Sequence, residues 1–170
     1  TQSTTADVTA PTLSDATITI PAPSITATGL TLQWVKATDN VTAQAGIEYE
    51  VRQSSSNNIT GVTNAETNGT IIRSYTADIN SFAVTGLSPA TTYYFTTIAK
   101  DAAGNKVAYT AISQTTASDV TAPTAGTFSA STGVGNTGFT LNWAAASDNV
   151  TASASLEYLV CSGANAAAID

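Results

Sequence analysis

The 170-residue chain has no histidine, no methionine, one cysteine, and only 5 basic residues against 12 acidic ones. Without histidine, imidazole general-base catalysis and histidine metal ligation are excluded within these residues. A formal charge of −7 opposes unassisted binding to nucleic acid or anionic lipid, both of which are held through Lys and Arg. No run of eighteen apolar residues occurs, so no membrane insertion is expected in this region. A Gly-rich phosphate loop and a Gly-x-Ser-x-Gly elbow are also missing, and the chain reads as non-catalytic. The lone Cys161 stands where Arg52 stands in an earlier repeat, at an outward strand position. It is read as an unpaired thiol or as half of a disulfide whose partner lies elsewhere, so cysteine counting leaves the redox compartment open.

What is present is a repeat. Asp-Val-Thr-Ala-Pro-Thr occupies Asp7 to Thr12 and returns at Asp119 to Thr124, after which the chain retraces itself. Leu32-Gln33-Trp34 recurs as Leu141-Asn142-Trp143, Asp39-Asn40-Val41-Thr42 as Asp148-Asn149-Val150-Thr151, and Glu48-Tyr49 as Glu157-Tyr158. The expected organisation is a linker or the tail of a preceding module at 1–6, a complete module at 7–118, and about three strands of a second at 119–170. The start at Thr1 without an initiator Met reads as a mature or excised product. Asn-x-Ser/Thr matches fall at Asn40, Asn58, Asn68 and Asn149, as chance produces in so Thr- and Asn-rich a chain.

Within the first module alternation has period two. Leu30, Leu32 and Trp34 point one way; Ile47, Tyr49 and Val51 alternate with Glu48, Glu50 and Arg52, which are expected to face solvent. Tyr93, Phe95, Thr97 and Ala99 form a third inward row, with Tyr94, Thr96 and Ile98 outward. An opening strand near 13–20 is broken by Pro21 and Pro23, which suits an edge, and a last strand is expected around 107–112. The long stretch Ser54 to Asp78 is expected to hold a short helix after Thr63, where Thr63-Asn64-Ala65-Glu66 has capping-box spacing, ending at Asn68-Gly69. Seven or so short strands with turn signals between them predict an all-β chain of tandem seven-stranded Greek-key β-sandwiches, the second incomplete. The predicted core is Leu32, Trp34, Tyr49, Leu87, Tyr93 and Phe95, with Leu141, Trp143 and Tyr158 as counterparts in the repeat.

Gly86-Leu87-Ser88-Pro89-Ala90-Thr91-Thr92-Tyr93, following Phe82-Ala83-Val84, resembles the fibronectin type III signature around its tyrosine corner. Leu30-Thr31-Leu32-Gln33-Trp34 resembles its second strand. The opening Asp-Val-Thr-Ala-Pro, Asp39-Asn40 and Asp101-x-x-Gly104-Asn105 resemble the bacterial subset, also described as Ig-like repeats, of surface proteins, adhesins and multidomain secreted enzymes. The chain departs from the common pattern in the Ser54 to Asp78 insertion and lacks an Arg-Gly-Asp tripeptide. The fold implied is specific; the role is not, because this sandwich hosts many.

In a seven-stranded sandwich the start of the first strand and the second-to-third and sixth-to-seventh strand loops emerge at one pole. Here they carry Asp7, then Asp39 and Asn40, then Asp101 and Asn105, and Asp119, Asp148 and Asn149 repeat the arrangement. An oxygen-only set of this kind suits Ca²⁺; the other reading makes these turn residues that bond their own backbone. A sugar-binding face from Tyr75, Tyr94 and Tyr109 is weighed against ordinary sheet-surface aromatics.

The expected function is an extracellular structural repeat array of a bacterial surface, adhesin or fibre protein, stiffened by calcium at module poles. The alternative is a spacer or accessory carbohydrate-binding module of a secreted polysaccharide-degrading enzyme. Expected partners are neighbouring modules, copies of the same protein completing the second sandwich by strand addition, or a surface glycan or protein receptor. The expected location is extracellular or at the cell surface.

Overall fold

Apolar alternation in three segments gives three strands whose inner faces are sealed in a computed structural model that describes residues 5–162 and divides after Asp119 into two compact units. Residues 1–4 of the expected linker and 163–170 of the second module lie outside the described residues. In the first unit the order is β1 (Ile18–Thr19), β2 (Gly29–Trp34), β3 (Glu48–Ser54), α1 (Gly61–Asn68), β4 (Thr70–Ala77), β5 (Ser81–Thr85), β6 (Thr92–Lys100), β7 (Lys106–Ala108) and β8 (Ile112–Thr115). One sheet runs β1-β2-β5 and the other β4-β3-β6, with β7 paired to Ile98–Lys100 and β8 to Thr92–Phe95 of β6. Since β7 and β8 share one partner, they are two halves of a single last strand. The result is a seven-stranded all-β sandwich.

The two sheets meet across one apolar cluster. Leu30, Leu32 and Trp34 from β2 pack in it with Tyr49 and Val51 from β3 and Phe95 and Ala99 from β6. Trp34 is 4% exposed; its ring lies 5.9 Å from that of Tyr49 and 6.3 Å from that of Tyr109, within the range of favourable aromatic pairs. The Tyr49 hydroxyl accepts a hydrogen bond from the Ala37 N–H at 2.9 Å, which fixes the chain leaving β2. Tyr93 closes the corner before β6, its hydroxyl accepting from the Ser88 N–H at 3.0 Å. That corner turns at Gly86, whose φ of +75° disfavours a residue with a side chain. Leu87 is buried and Tyr93 half-buried against the core.

Four expectations are corrected. The outward face of β3 and β6 is not solvated: α1 covers it, with Ile59, Ala65 and Ile98 forming a second small cluster. Thr96 is fully buried, and Glu50 and Arg52, expected outside, are 4% and 9% exposed. The helix starts at Gly61 after Thr60, which puts Thr63 inside the first turn, so the Thr63–Glu66 box does not cap it, and Glu66 pairs with Lys106. The expected single strand at 107–112 is where the last strand splits, and Tyr109 turns inward at the break to be 1% exposed. Its hydroxyl donates to the Val35 carbonyl, and the Thr96 hydroxyl donates to the Tyr109 carbonyl at 2.8 Å. The opening strand shrinks to Ile18–Thr19.

The second unit is a hairpin of β9 (Phe128–Gly135) and β10 (Gly138–Trp143), its ladder interrupted by two register shifts. The rings of Phe128, Trp143 and Tyr158 pack at a tilt with centroids 6.2 and 5.9 Å apart, and Tyr158 accepts from the Ala146 N–H as Tyr49 does from Ala37. Leu141, Trp143 and Tyr158 are nonetheless exposed, contrary to their expected place in a core. No second sheet faces them among the described residues. The segment around Tyr158 forms no paired strand among the described residues.

Candidate metal centre

An aspartate opening a turn accepts backbone N–H bonds from residues two and three positions on, which holds one of its oxygens and leaves the other free. Asp39 does this through Oδ2, which accepts from Val41 at 2.9 Å and Thr42 at 2.8 Å. Asp7 accepts from the Thr9 N–H through Oδ1 at 3.1 Å. The backbone pair Thr12 and Thr38 then ties the segment carrying Asp7 to the loop after β2. Asp101 follows β6 and accepts the Asn105 backbone N–H through Oδ1 and its side-chain amide through Oδ2, each at 2.8 Å. The Ala102 N–H donates to the Thr42 hydroxyl at 3.2 Å, joining the loops after β2 and β6.

These constraints bring together Asp7, Asp39 and Asp101, each offering a carboxylate oxygen within 4.8 Å of the other two. Asp101 is only 2% exposed. Asp7 Oδ2 and Asp39 Oδ1, the oxygens not used by the turns, are shielded from solvent and have no hydrogen-bond partner. Ionised carboxylates at that spacing repel one another unless a cation neutralises them. The N–H groups of Thr42 and then Val41 hold the Asp39 carboxyl below the usual aspartate range, so the group resists protonation.

None of the five cations neutralises this group. Lys36 pairs with Asp78 at 2.6 Å, Lys100 with Glu48 at 2.7 Å, Lys106 with Glu66 at 2.5 Å and Arg52 with Glu50 at 2.5 Å. The Arg73 guanidinium stands 6.0 Å from the Phe82 ring centroid. The flanking lysines at 36, 100 and 106 are thus committed to other acids.

The remaining sequence candidates divide. Asn105 turns its amide nitrogen toward Asp101 and the Asp7 carbonyl, so it positions the carboxylates rather than offering them an oxygen. Asn40 and its counterpart Asn149 are exposed turn residues. Asp148 in the second unit repeats the Asp39 turn, accepting from Val150 and Thr151 through Oδ1, and its Oδ2 is again buried and unpartnered. Asp119 is the last residue of the first unit. Cys161 is a free, exposed thiol.

The three tyrosines weighed as a sugar face do not form one. Tyr109 is inside the sandwich. Tyr75 lies beneath the Lys100 ammonium, 4.1 Å from its ring centroid, with that of Lys106 at 5.8 Å. Tyr75 and Tyr94 both pack around the small cluster under α1. Burial first, then the charge of Glu50 and Glu66, pushes the Tyr75 phenol far up.

Sequence reasoning missed a buried ionic cradle at the other face. Arg52 donates from Nη1 to the carbonyls of Ala65, Glu66 and Gly69 while its Nε meets Glu50. A cation at the carbonyl end of a helix satisfies orphan acceptors and complements the dipole. The signal available was the long Ser54 to Asp78 insertion, with a helix expected to end at Asn68-Gly69, beside an arginine in a strand.

The fibronectin type III domain model matches residues 11–116. Exoglucanase B of Cellulomonas fimi is 33% identical over 165 residues, covering 95% of this chain and 13% of that protein. Chitinase A1 of Niallia circulans is 37% identical over 133 residues, covering 74% of this chain and 16% of that protein. The chain thus spans less than one fifth of the length of either relative. Among solved structures, the fibronectin type III domain of human fibronectin type III domain containing protein 3 matches with a TM-score of 0.47 and 18% identity, over 70% of this chain and 94% of that one.

Proposed function

The chain belongs to the fibronectin type III family, and from that premise we propose that it is a non-catalytic spacer module of a secreted polysaccharide-degrading enzyme. The observation carrying this reading is that nearly the whole chain aligns with a small part of exoglucanase B, while much of it also aligns with a small part of chitinase A1. A segment shared by proteins named for two different polysaccharides serves a need common to both, and holding other domains apart is such a need. The setting is extracellular, where such substrates lie. No helix among the described residues is long and apolar enough to cross a membrane.

Spacing is favoured over sugar binding because Tyr75, Tyr94 and Tyr109 offer no open aromatic platform. The surface, adhesin or fibre array rests on the internal repeat alone, which two successive spacer modules explain equally well.

The chain should release no reducing sugar from cellulose or chitin and should stay in solution when either is sedimented. Placed between a cellulase catalytic domain and a cellulose-binding module, it should raise turnover of insoluble cellulose over that of a direct fusion. Turnover of a soluble substrate should stay the same. Retention on either polysaccharide, or equal turnover of insoluble cellulose with and without the chain, would refute the spacer reading.

A further inference from the structure

We propose that Asp7, Asp39 and Asp101 bind one Ca²⁺ ion that fastens the segment preceding β1 to the loops after β2 and β6. The first observation is convergence: three carboxylates from three separated stretches of chain present oxygens within 4.8 Å of one another. The second is independent of clustering. Asp7 Oδ2 and Asp39 Oδ1 are buried oxygens without a donor, although buried acceptors are ordinarily satisfied. Asp148 Oδ2 shows the same unpartnered burial where the turn recurs in the second unit, so the feature belongs to the repeated design of the turn.

The chemistry selects the ion. The set contains only hard oxygen donors, with no histidine in the chain and its one cysteine elsewhere, which excludes a zinc-type site. Ca²⁺–oxygen distances of about 2.3–2.6 Å span oxygen pairs up to about 5 Å apart, wider than the octahedron of Mg²⁺ at about 2.1 Å allows. All five protein cations are engaged away from the group, so the charge to be neutralised falls to a bound ion. Asn105, bonded to Asp101 and to the Asp7 carbonyl, holds two of the three ligands in place.

The test is thermal unfolding of the whole chain, stripped with EGTA and then titrated with CaCl₂ to about 10 mM, above the dissociation range of extracellular calcium modules. The expected result is a saturable rise of the main transition by roughly 5 °C, with Mg²⁺ giving much less. Asp7→Asn and Asp39→Asn should each abolish the rise. Asp15→Asn, which removes the same charge from an exposed position outside the group, should keep it. If Asp39→Asn fails to fold, Asp7→Asn in the leading segment and calorimetric titration of the unmutated chain still decide. An unchanged transition from EGTA to saturating Ca²⁺, an equal response to Mg²⁺, or a rise that survives Asp7→Asn would overturn the proposal.

Discussion

Trp34 and Trp143 occupy the same place in two copies of one sequence phrase, yet the first is 4% exposed and the second 40%. Their immediate surroundings match: each packs at a tilt against a tyrosine at 5.9 Å, and that tyrosine accepts a backbone N–H from an alanine leaving the strand. What differs is the opposite layer. In the first unit β3 and β6 bring Tyr49, Val51 and Phe95 across the interior, and the second unit has no such sheet among the described residues. Local pattern therefore sets the strand, the turn and the aromatic pair, while burial is conferred by residues far along the chain.

The largest expected effect breaks this comparison at the tryptophans. Trp34→Ala should cost about 3–5 kcal/mol in denaturant unfolding, from lost burial and the cavity left behind. Trp143→Ala should leave the main transition within about 0.5 kcal/mol. Equal losses would mean that the second unit has a closed interior in solution.

Next come Arg52 and its counterpart Cys161. Arg52→Ala strips Glu50 of its partner beneath α1 and takes a donor from the Ala65, Glu66 and Gly69 carbonyls at the helix end, at a cost of about 3–5 kcal/mol by the same measurement. Replacing Glu50 by Gln and Arg52 by Met together should cost less than Arg52→Ala alone, since no uncompensated charge is then buried. Cys161→Ala should be nearly silent.

A smaller effect is expected from Tyr49→Phe, which leaves the Ala37 N–H without its acceptor and should cost about 1–3 kcal/mol. Tyr158→Phe removes the same bond from an exposed site, where water replaces it, and should cost less.

The smallest effect should be shared by both units. Backbone N–H bonds lower the pKa of Asp39 and of Asp148 in the folded chain. A lowered folded value means that the stabilisation is complete above the ordinary aspartate value of 3.8 and is lost as pH falls through the folded value. Asp39→Asn should therefore lower the neutral plateau of the melting curve and flatten its acid limb between about pH 5 and pH 2, leaving stability at the acid end nearly unchanged. An unchanged acid limb would show that the turn is not retained in solution.

Much of this was legible in the chain because it is local. The alternation in Leu30-Thr31-Leu32-Gln33-Trp34, the turn at Gly86 before Tyr93 and the repeated Asp39-Asn40 phrase each encode their geometry within a few residues. The convergence of Asp7, Asp39 and Asp101 also followed, once the sandwich fixed which loops share a pole. Arg52 and Glu50 read as surface charges because nothing in β3 reports the helix that covers them. Tyr109 read as an outward aromatic because the split between β7 and β8 breaks the alternation from which its direction was inferred. The orientation of the Asn105 amide and the commitment of Lys36, Lys100 and Lys106 to distant acids are likewise tertiary.

The split last strand has a consequence for how the molecule behaves in a crowd. Of the four borders of its two sheets in the first unit, three are irregular: β1 pairs over two residues, β4 carries register shifts against β3, and β7 and β8 are parted at Tyr109. An interrupted border is a poor template for another chain's backbone. Many copies released together can therefore stay dispersed without the like-charged lysine fringe that commonly keeps β-proteins from sticking.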